Sequence, residues 1–332
     1  MFIFLLEKTR RLFKSLGKYE FNLIDKIILT KNKIVKKNTN IILNEINFQK
    51  INKYLVNNSS NSKKIAIVIC FHFKSKKIKK LVKVCSNISN YDFDNHTTIV
   101  TNNITRSQKK ILKNKVKIKL KKFTIIQIKD TPEPNLLPWY SLNVMKERYK
   151  NKSFTHFLYL EDDIIVSKKN INYWIFCRKI LKSYNLLPGF IRYESFKKNL
   201  FSIDNPKKIE ITKTPSIRSN CKKFGFINLK YPYQAMYLMD RQLMNSYLKS
   251  NSSTVDFGFH NRIMKNLYPI KELASISIAY HKLPEGYHSR YMIPFVESKT
   301  IPEYCLIKHL DNKYVRKQNS NYGKIKIQNL LI

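Results

Sequence analysis

Phe157-Leu158-Tyr159-Leu160-Glu161-Asp162-Asp163 sets four apolar residues directly before three acids. The apolar part reads as a buried strand, and the acids stand where that strand must leave the sheet. Ile164-Ile165-Val166 resumes the apolar pattern, and Ser167 is a good N-cap for a helix running through Ile171, Trp174, Ile175, Cys177, Ile180 and Leu181. The acids therefore occupy a tight connection between buried elements. Adjacent carboxylates repel one another and lose hydration there, so a fold that keeps them usually offsets the charge with a cation. Only 22 acids occur in 332 residues, which makes the clustering more pointed.

The same alternation extends upstream. Ile65-Ala66-Ile67-Val68-Ile69-Cys70-Phe71 is a continuous apolar run, as expected of a strand buried on both faces of a parallel sheet. Helical spacing follows over residues 76 to 88, then a strand at Thr97–Thr101, a short helix from Ser107 to Lys113 and a strand at Phe123–Ile128. A helix from about Trp139 to Tyr149 leads back to the Phe157 strand. This order predicts an α/β fold with a mostly parallel central sheet flanked by helices. Ligands of such sheets bind outside the carboxyl ends of the strands, which is where the acids lie.

Residues 1 to 62 read as a basic helical extension and linker, ending in Asn57-Asn58-Ser59-Ser60-Asn61-Ser62; 63 to 315 as the main domain; and 316 to 332 as a basic tail. The first residues, Met1 to Leu6, meet Glu7 and then Lys8, Arg10 and Arg11. That run is too short for a membrane span, which takes roughly 20 apolar residues, and its charges fall on the wrong side for a signal peptide. As a helix it suits either resting on an anionic bilayer surface or packing on a partner. The five cysteines, Cys70, Cys85, Cys177, Cys221 and Cys305, form no C-x-x-C pair, which fits a reducing, cytoplasmic setting.

The formal charge is +41, from 63 Lys and Arg. Taken alone it suggests a polyanionic partner. Lys, Asn and Ile are abundant along the whole length, however, so the excess is a compositional background. A basic nucleic-acid-binding protein or metal-dependent nuclease is the competing reading. It requires basic and aromatic residues concentrated on one element, and they are spread throughout, so no nucleic-acid partner is expected. A membrane-peripheral scaffold leaves the acidic triplet unexplained. Six glycines and no glycine-rich loop argue against Rossmann dehydrogenases and P-loop ATPases. Adjacent acids at one strand end cannot flank a scissile bond as a glycoside hydrolase requires.

The strand and helix order, closed by Tyr159-Leu160-Glu161-Asp162-Asp163, resembles the nucleotide-sugar-binding half of glycosyltransferases of the GT-A fold, similar to family 2. The resemblance covers roughly residues 63 to 315. It implies transfer of a sugar from a nucleotide-sugar donor to a glycan or lipid-linked acceptor, as in cell-surface polysaccharide synthesis, with a divalent metal, Mn2+ or Mg2+, as cofactor. The family's D-x-D motif is here E-D-D, so Glu161 and Asp163 take its outer places and Asp162 the middle one. Metal ligands implied by the likeness are Glu161, Asp163 and a histidine near the C-terminus. His309, after Tyr304-Cys305-Leu306-Ile307-Lys308, fits by position, with His281 and His288 as competitors. An imidazole among oxygen ligands suits Mn2+ better than Ca2+.

Further matches include a strand at Pro188–Glu194, an acceptor-side stretch at Tyr231–Asp240 followed by a helix from Arg241 to Leu248, and Ser253-Thr254-Val255-Asp256-Phe257. Asp256 matches the acid that inverting members use as general base, although Val255 replaces the usual preceding Glu. Asp256 also suits the N-terminus of a helix from Phe257 to Leu267. On the donor side the likeness implies Phe71 and His72 beneath the base and Asn102 at the end of the second strand. Many members have an Asp at that strand end, and Asp130 is a candidate substitute here. Arg192, Lys313 and Arg290 are candidate cations for the leaving diphosphate, and Gly286 to Tyr291 a loop to close over it.

Overall fold

In the computed structural model, residues 40–43, 63–129, 134–219, 224–254, 268–296, 299–317 and 320–332 are described. Strand β1 (Asn40–Leu43) lies inside the segment read as a helical extension. Most of that extension, together with Asp130, Cys221, Asp256 and the helix expected from Phe257 to Leu267, falls outside the described residues.

The central sheet is built from β2 (Lys64–Phe71), β3 (Asp94–Thr101), β4 (Phe123–Gln127), β5 (His156–Glu161) and a later strand, Met236–Asp240. β2 pairs in parallel with β3 on one side and β5 on the other, and β3 pairs in parallel with β4. The strand Met236–Asp240 adds antiparallel to β5. The mostly parallel sheet expected from the sequence is thus present. A central strand has both edges hydrogen-bonded and both faces covered, so its side chains must be apolar. Ile65, Ala66, Ile67, Val68, Ile69 and Phe71 have no exposed surface.

Helices cover this sheet for reasons visible locally. α1 (Ile78–Ser89) buries Leu81, Val84, Cys85 and Ile88, one stripe at helical spacing. α2 (Arg106–Lys117) starts at a capping box in which Thr105 and Gln108 exchange side-chain and backbone bonds, and it buries only Leu112 and Val116. α3 (Leu137–Lys150) opens with Pro138 in its first turn, where the missing N–H costs nothing. β6 (Ile164–Ile165) follows the acids, and α4 (Lys168–Leu181) then starts at Ser167, which forms a capping box with Asn170.

The run read as one strand from Pro188 to Glu194 is two: β7 (Leu187–Pro188) and β8 (Ile191–Phe196), in different sheets. Gly189 lies between them against the backbone neighbourhood of a distant strand. A Cβ there would sit 3.0 Å from the Cβ of Tyr291 and 3.2 Å from Leu229. After β8 come β9 (Asn199–Ser202), β10 (Ser216–Ser219) and β11 (Phe224–Asn228). The strand Met236–Asp240 is β12, and α5 (Arg241–Leu248) follows it over the predicted residues, capped by Asp240. α6 (Ile270–Ile276), β13 (Tyr291–Val296), β14 (Leu306–His309) and β15 (Ile325–Lys326) complete the described elements. Of Tyr304–His309 only the last four residues are strand, because Glu303–Cys305 forms a tight turn after Pro302.

Two further five-stranded sheets are present, one ordered β1-β10-β11-β13-β7 and the other β15-β9-β8-β14-β6. The C-terminal residues close back on the latter, with β15 antiparallel to β9 and Leu331 bridged to Ile209. No helix among the described residues is long and apolar enough to cross a membrane.

Candidate active site and metal centre

Parallel register aligns the strand ends at one edge of the central sheet. Phe71 is opposite Thr101, Thr101 opposite Gln127, and Cys70 opposite Glu161. His72, Asn102 and the acids 161 to 163 therefore leave the sheet on the same side. Phe71 is wholly buried and packs edge-on against Phe73 at 5.9 Å. Asn102 joins two strand ends, its Oδ1 accepting from the Phe73 N–H at 2.7 Å. His72 is partly exposed on that edge, and burial with Lys74 and Lys77 nearby lowers its pKa.

The third sheet brings the C-terminal histidine to the acids. β6 begins just after Asp163 and pairs antiparallel with β14, placing His309 opposite Ile164. The Leu310 N–H donates to the Asp163 carbonyl at 2.9 Å. β14 also pairs in parallel with β8, Lys308 opposite Tyr193, which puts Glu194 on the other side of His309. Residues about 30 and 115 apart in sequence meet here because β14 is the strand between β6 and β8.

The resulting geometry is specific. His309 Nδ1 is 2.6 Å from Glu194 Oε1, and His309 Nε2 is 3.5 Å from Asp163 Oδ2. Glu194 has no exposed surface and accepts from the N–H groups of Lys313, Tyr314 and Val315 at 2.9 to 3.1 Å. With its lone pairs so occupied, Glu194 is a fixed anion that orients the ring; a carboxylate in this place is what tunes a metal-bound histidine. Asp311 completes a group in which Asp163, His309 and Asp311 each offer a ligand atom within 4.8 Å of the others. Asp311 also pairs with Lys80 and, at 3.7 Å, with Lys313.

Glu161 lies outside that group, and its Oε1 accepts from the Tyr233 hydroxyl at 2.8 Å. Asp162 takes a bond from Lys77 Nζ at 3.3 Å. Its Oδ2, like Asp163 Oδ1, is buried and has no hydrogen-bond partner among the described residues. A buried carboxylate oxygen without a donor costs more than an ordinary hydrogen bond gains.

Protonation follows from this crowding. Burial and then the neighbouring Asp163 push Glu161 up to about 7, against the pull of Arg192 and Tyr233. Burial and Asp163 likewise push Asp162 up to about 6, against Lys77. Asp163 is the exception: burial opposes its charge, but His309, together with Lys77 and Arg192, outweighs burial and holds the carboxyl down at about 2. Burial opposes the imidazolium of His309 too, and is overcome by Asp163 and Glu194, which raise its pKa. Glu161 thus keeps much of its proton near pH 7 while Asp162 is largely ionised there, and Asp163, His309 and Asp311 form the group whose donor atoms lie close enough together to hold a metal ion. The oxygen and imidazole donors suit Mn2+ or Mg2+.

Beside the acids lies a cavity of about 260 Å³ lined by Arg192, Asp204, Tyr233, Tyr268, Glu272 and Tyr314, among others. Its wall is continuous with the site, since Tyr233 bonds Glu161 and the Tyr314 ring lies 5.8 Å from His309. Arg192 stacks on Tyr233 at 4.5 Å and binds Asp204 through Nε at 2.8 Å.

Of the residues singled out from sequence, Glu161, Asp162, Asp163 and His309 come together, with Arg192 and Lys313 close by. His281 is elsewhere, bonded to Ser246 at 3.0 Å. His288 lines a separate cavity. Arg290 is buried against Asn185, whose carbonyl accepts from its Nε at 2.8 Å. Asp311, Glu194 and Lys77 were not singled out. His-x-Asp at 309 to 311 is a legible ligand pattern; Glu194 and Lys77 reach the site only through pairing between distant segments.

No protein-family model matches the sequence, and no curated protein matches it. Among solved structures the chain is similar to that of Staphylococcus aureus TarS residues 1–349, at 12% identity and a TM-score of 0.35, over 69% of this chain and 57% of that one. A second S. aureus TarS structure gives 14% identity and a TM-score of 0.36, over 69% and 34%. The chain thus spans a little over half of the first and about a third of the second.

Proposed function

We propose that this chain is a metal-dependent glycosyltransferase that moves a sugar from a nucleotide-sugar donor to a hydroxyl of a glycan or lipid-linked acceptor, with inversion. The observation that carries this reading is the Asp163–His309–Asp311 group, with the unpartnered buried oxygens of Asp163 and the adjacent Asp162, at the carboxyl edge of a parallel sheet. Four parallel strands with an antiparallel fifth beside the acid-bearing strand also suit a nucleotide-binding half of the GT-A kind.

Asp163, His309 and Asp311 would hold the ion, with Glu194 orienting His309 and Glu161 and Asp162 completing the negative corner. When bound, a divalent ion supplies charge neutralisation for the departing diphosphate. His72 and Asn102 stand at the edge where the donor's nucleoside would lie. The acceptor hydroxyl gives its proton to Asp256 while its oxygen bonds to the anomeric carbon. The bond from that carbon to the diphosphate oxygen breaks, and its electron pair leaves on the diphosphate. Residues 63–315 would form the catalytic domain. The basic residues before them would hold a cytoplasmic enzyme against the inner face of an anionic membrane.

Thermal stabilisation by a panel of nucleoside diphosphates, with and without Mn2+, tests the proposal. Stabilisation by one nucleotide only when Mn2+ is present is expected. Stabilisation by oligonucleotides alone overturns it in favour of a nucleic-acid-binding protein.

A further inference from the structure

A second cavity, of about 220 Å³, adjoins the one beside the acids. Tyr231 lines both, and the consecutive residues Asp204 and Asn205 face one each. The two compartments differ in chemistry. The first carries tyrosines and the carboxylates Asp204 and Glu272; the second is ringed by Lys207, Lys208, Lys230 and His288. Its single acid, Glu210, already pairs with Lys213 at 2.5 Å. Lys207 and Lys208 make no ion pair with an acid among the described residues.

The second compartment also has a rigid polar frame. Asn228, fully buried, accepts the His288 N–H at 2.7 Å and donates to the carbonyls of Ser289 and Tyr291 at 2.7 and 3.0 Å. This ties the His288 loop to the end of β11. Asn205, 2% exposed, is fixed by a bond to Ser202 at 3.0 Å. Pockets for whole drug-sized ligands run from roughly 300 Å³ upward, so this one suits a small anionic group with a few attached carbons.

We propose that this basic cavity is a subsite for a phosphate ester carried by the acceptor, placed so that the hydroxyl-bearing part of the same molecule reaches the tyrosine-lined cavity beside the acids. The inference rests on the transferase reading above and adds to it the chemical class of the acceptor. Lys207, Lys208 and Lys230, exposed at the rim, and His288 offer N–H donors to a tetrahedral anion, and Tyr231, which lines both cavities, stands between the charged and neutral parts. The phosphate belongs either to a soluble sugar- or polyol-phosphate or to a lipid head group.

The test uses the full chain and two probes, glycerol 3-phosphate and phosphatidylcholine vesicles containing phosphatidylglycerol. Binding is compared for the wild type, a Lys207→Gln/Lys208→Gln/Lys230→Gln variant, and a Lys109→Gln/Lys113→Gln/Lys117→Gln variant, which removes equal charge from exposed positions on α2. At least tenfold weaker binding of either probe by the first variant, with less than twofold change in the second, is expected. Loss confined to vesicles assigns a lipid head group, and loss of glycerol 3-phosphate binding a soluble phosphate. Equal losses in both variants, absence of binding by the wild type, or tighter binding of a single-stranded oligonucleotide lost in the first variant overturns the proposal. Nucleoside diphosphate stabilisation with Mn2+ is measured on the same variants. Its survival there shows that a failed subsite leaves the transferase reading standing, and its absence from the wild type shows the reverse.

Discussion

His309 turns Nε2 toward Asp163 at 3.5 Å while its other nitrogen is held by Glu194 at 2.6 Å. When Nδ1 donates to Glu194, a neutral ring presents a lone pair to the Asp163 carboxylate. Two acceptors facing one another are stable only with a positive charge shared between them, a proton on the ring or a metal ion. Mn2+ is therefore expected to raise the melting temperature of the wild type. A saturating ligand at a hundred times its Kd adds about 2.7 kcal/mol. Asp163→Asn and Asp311→Asn should each abolish most of the Mn2+-induced rise in a fluorimetric melt, whereas Glu161→Gln should keep it. Undiminished stabilisation in Asp311→Asn removes that residue from the ligand set.

Glu194 makes a separable prediction. Its oxygens accept from His309 and from three backbone N–H groups. Glu194→Gln keeps the volume but turns an NH2 group toward donors, so about 1–3 kcal/mol of stability is expected to be lost in urea unfolding. Loss of the orienting carboxylate should also weaken Mn2+ binding roughly 10- to 100-fold. Unchanged Mn2+ affinity alongside the stability loss would show that Glu194 only anchors the 313–315 turn.

The contrast between Asp163 and Glu194 shows where sequence reading succeeds. Acids after Phe157–Leu160 announce themselves because a buried strand and its end are encoded in consecutive residues. Strands at 65–71 and 97–101 and the helix at 241–248 are legible for the same reason. Glu194 ends an equally clear apolar run, but its role depends on β14 lying between β6 and β8, a pairing that no local pattern specifies. The split of 188–194 into β7 and β8 is likewise set from outside, by the approach of Tyr291 to Gly189. Asp311 was within reach, two residues beyond a histidine already singled out. The Arg192–Asp204 pair was not, since its partners are joined only by the turn between β8, β9 and the cavity wall.

His281 sets an expectation for acid pH. It is 5% exposed, and burial, followed by Arg290 and Lys282, lowers its pKa to about 4. The neighbouring Tyr247 ring and the Ser246 hydroxyl offer no negative charge to offset this. An unfolded histidine takes its proton near 6.5. Between about 6.5 and 4 the unfolded chain therefore binds the extra proton, and stability falls as pH falls through that window. Above it this residue contributes no slope. The full effect is about 3 kcal/mol at one pKa unit per 1.36 kcal/mol. Urea unfolding from pH 7.5 to 4.5 should show a shallower decline in His281→Gln than in the wild type, and parallel curves would refute the assignment.

Arg192 and Asp204 form a buried ion pair, their side chains 4% and 9% exposed, on the wall shared by the acids and the first cavity. Bringing both charges out of water is costly, so the pair contributes little net stability while each partner alone is a liability. Arg192→Leu leaves Asp204 buried without its cation and removes the stacking on Tyr233, and about 3–5 kcal/mol should be lost. Asp204→Leu should cost a similar amount by stranding the guanidinium. The double variant, which strands neither, is expected to recover at least half of the larger single loss, with the urea m-value unchanged so that the comparison measures stability alone. Simple additivity of the two losses would mean that the residues do not interact, and that the tyrosine-lined cavity beside Glu161 is held open by something other than this pair.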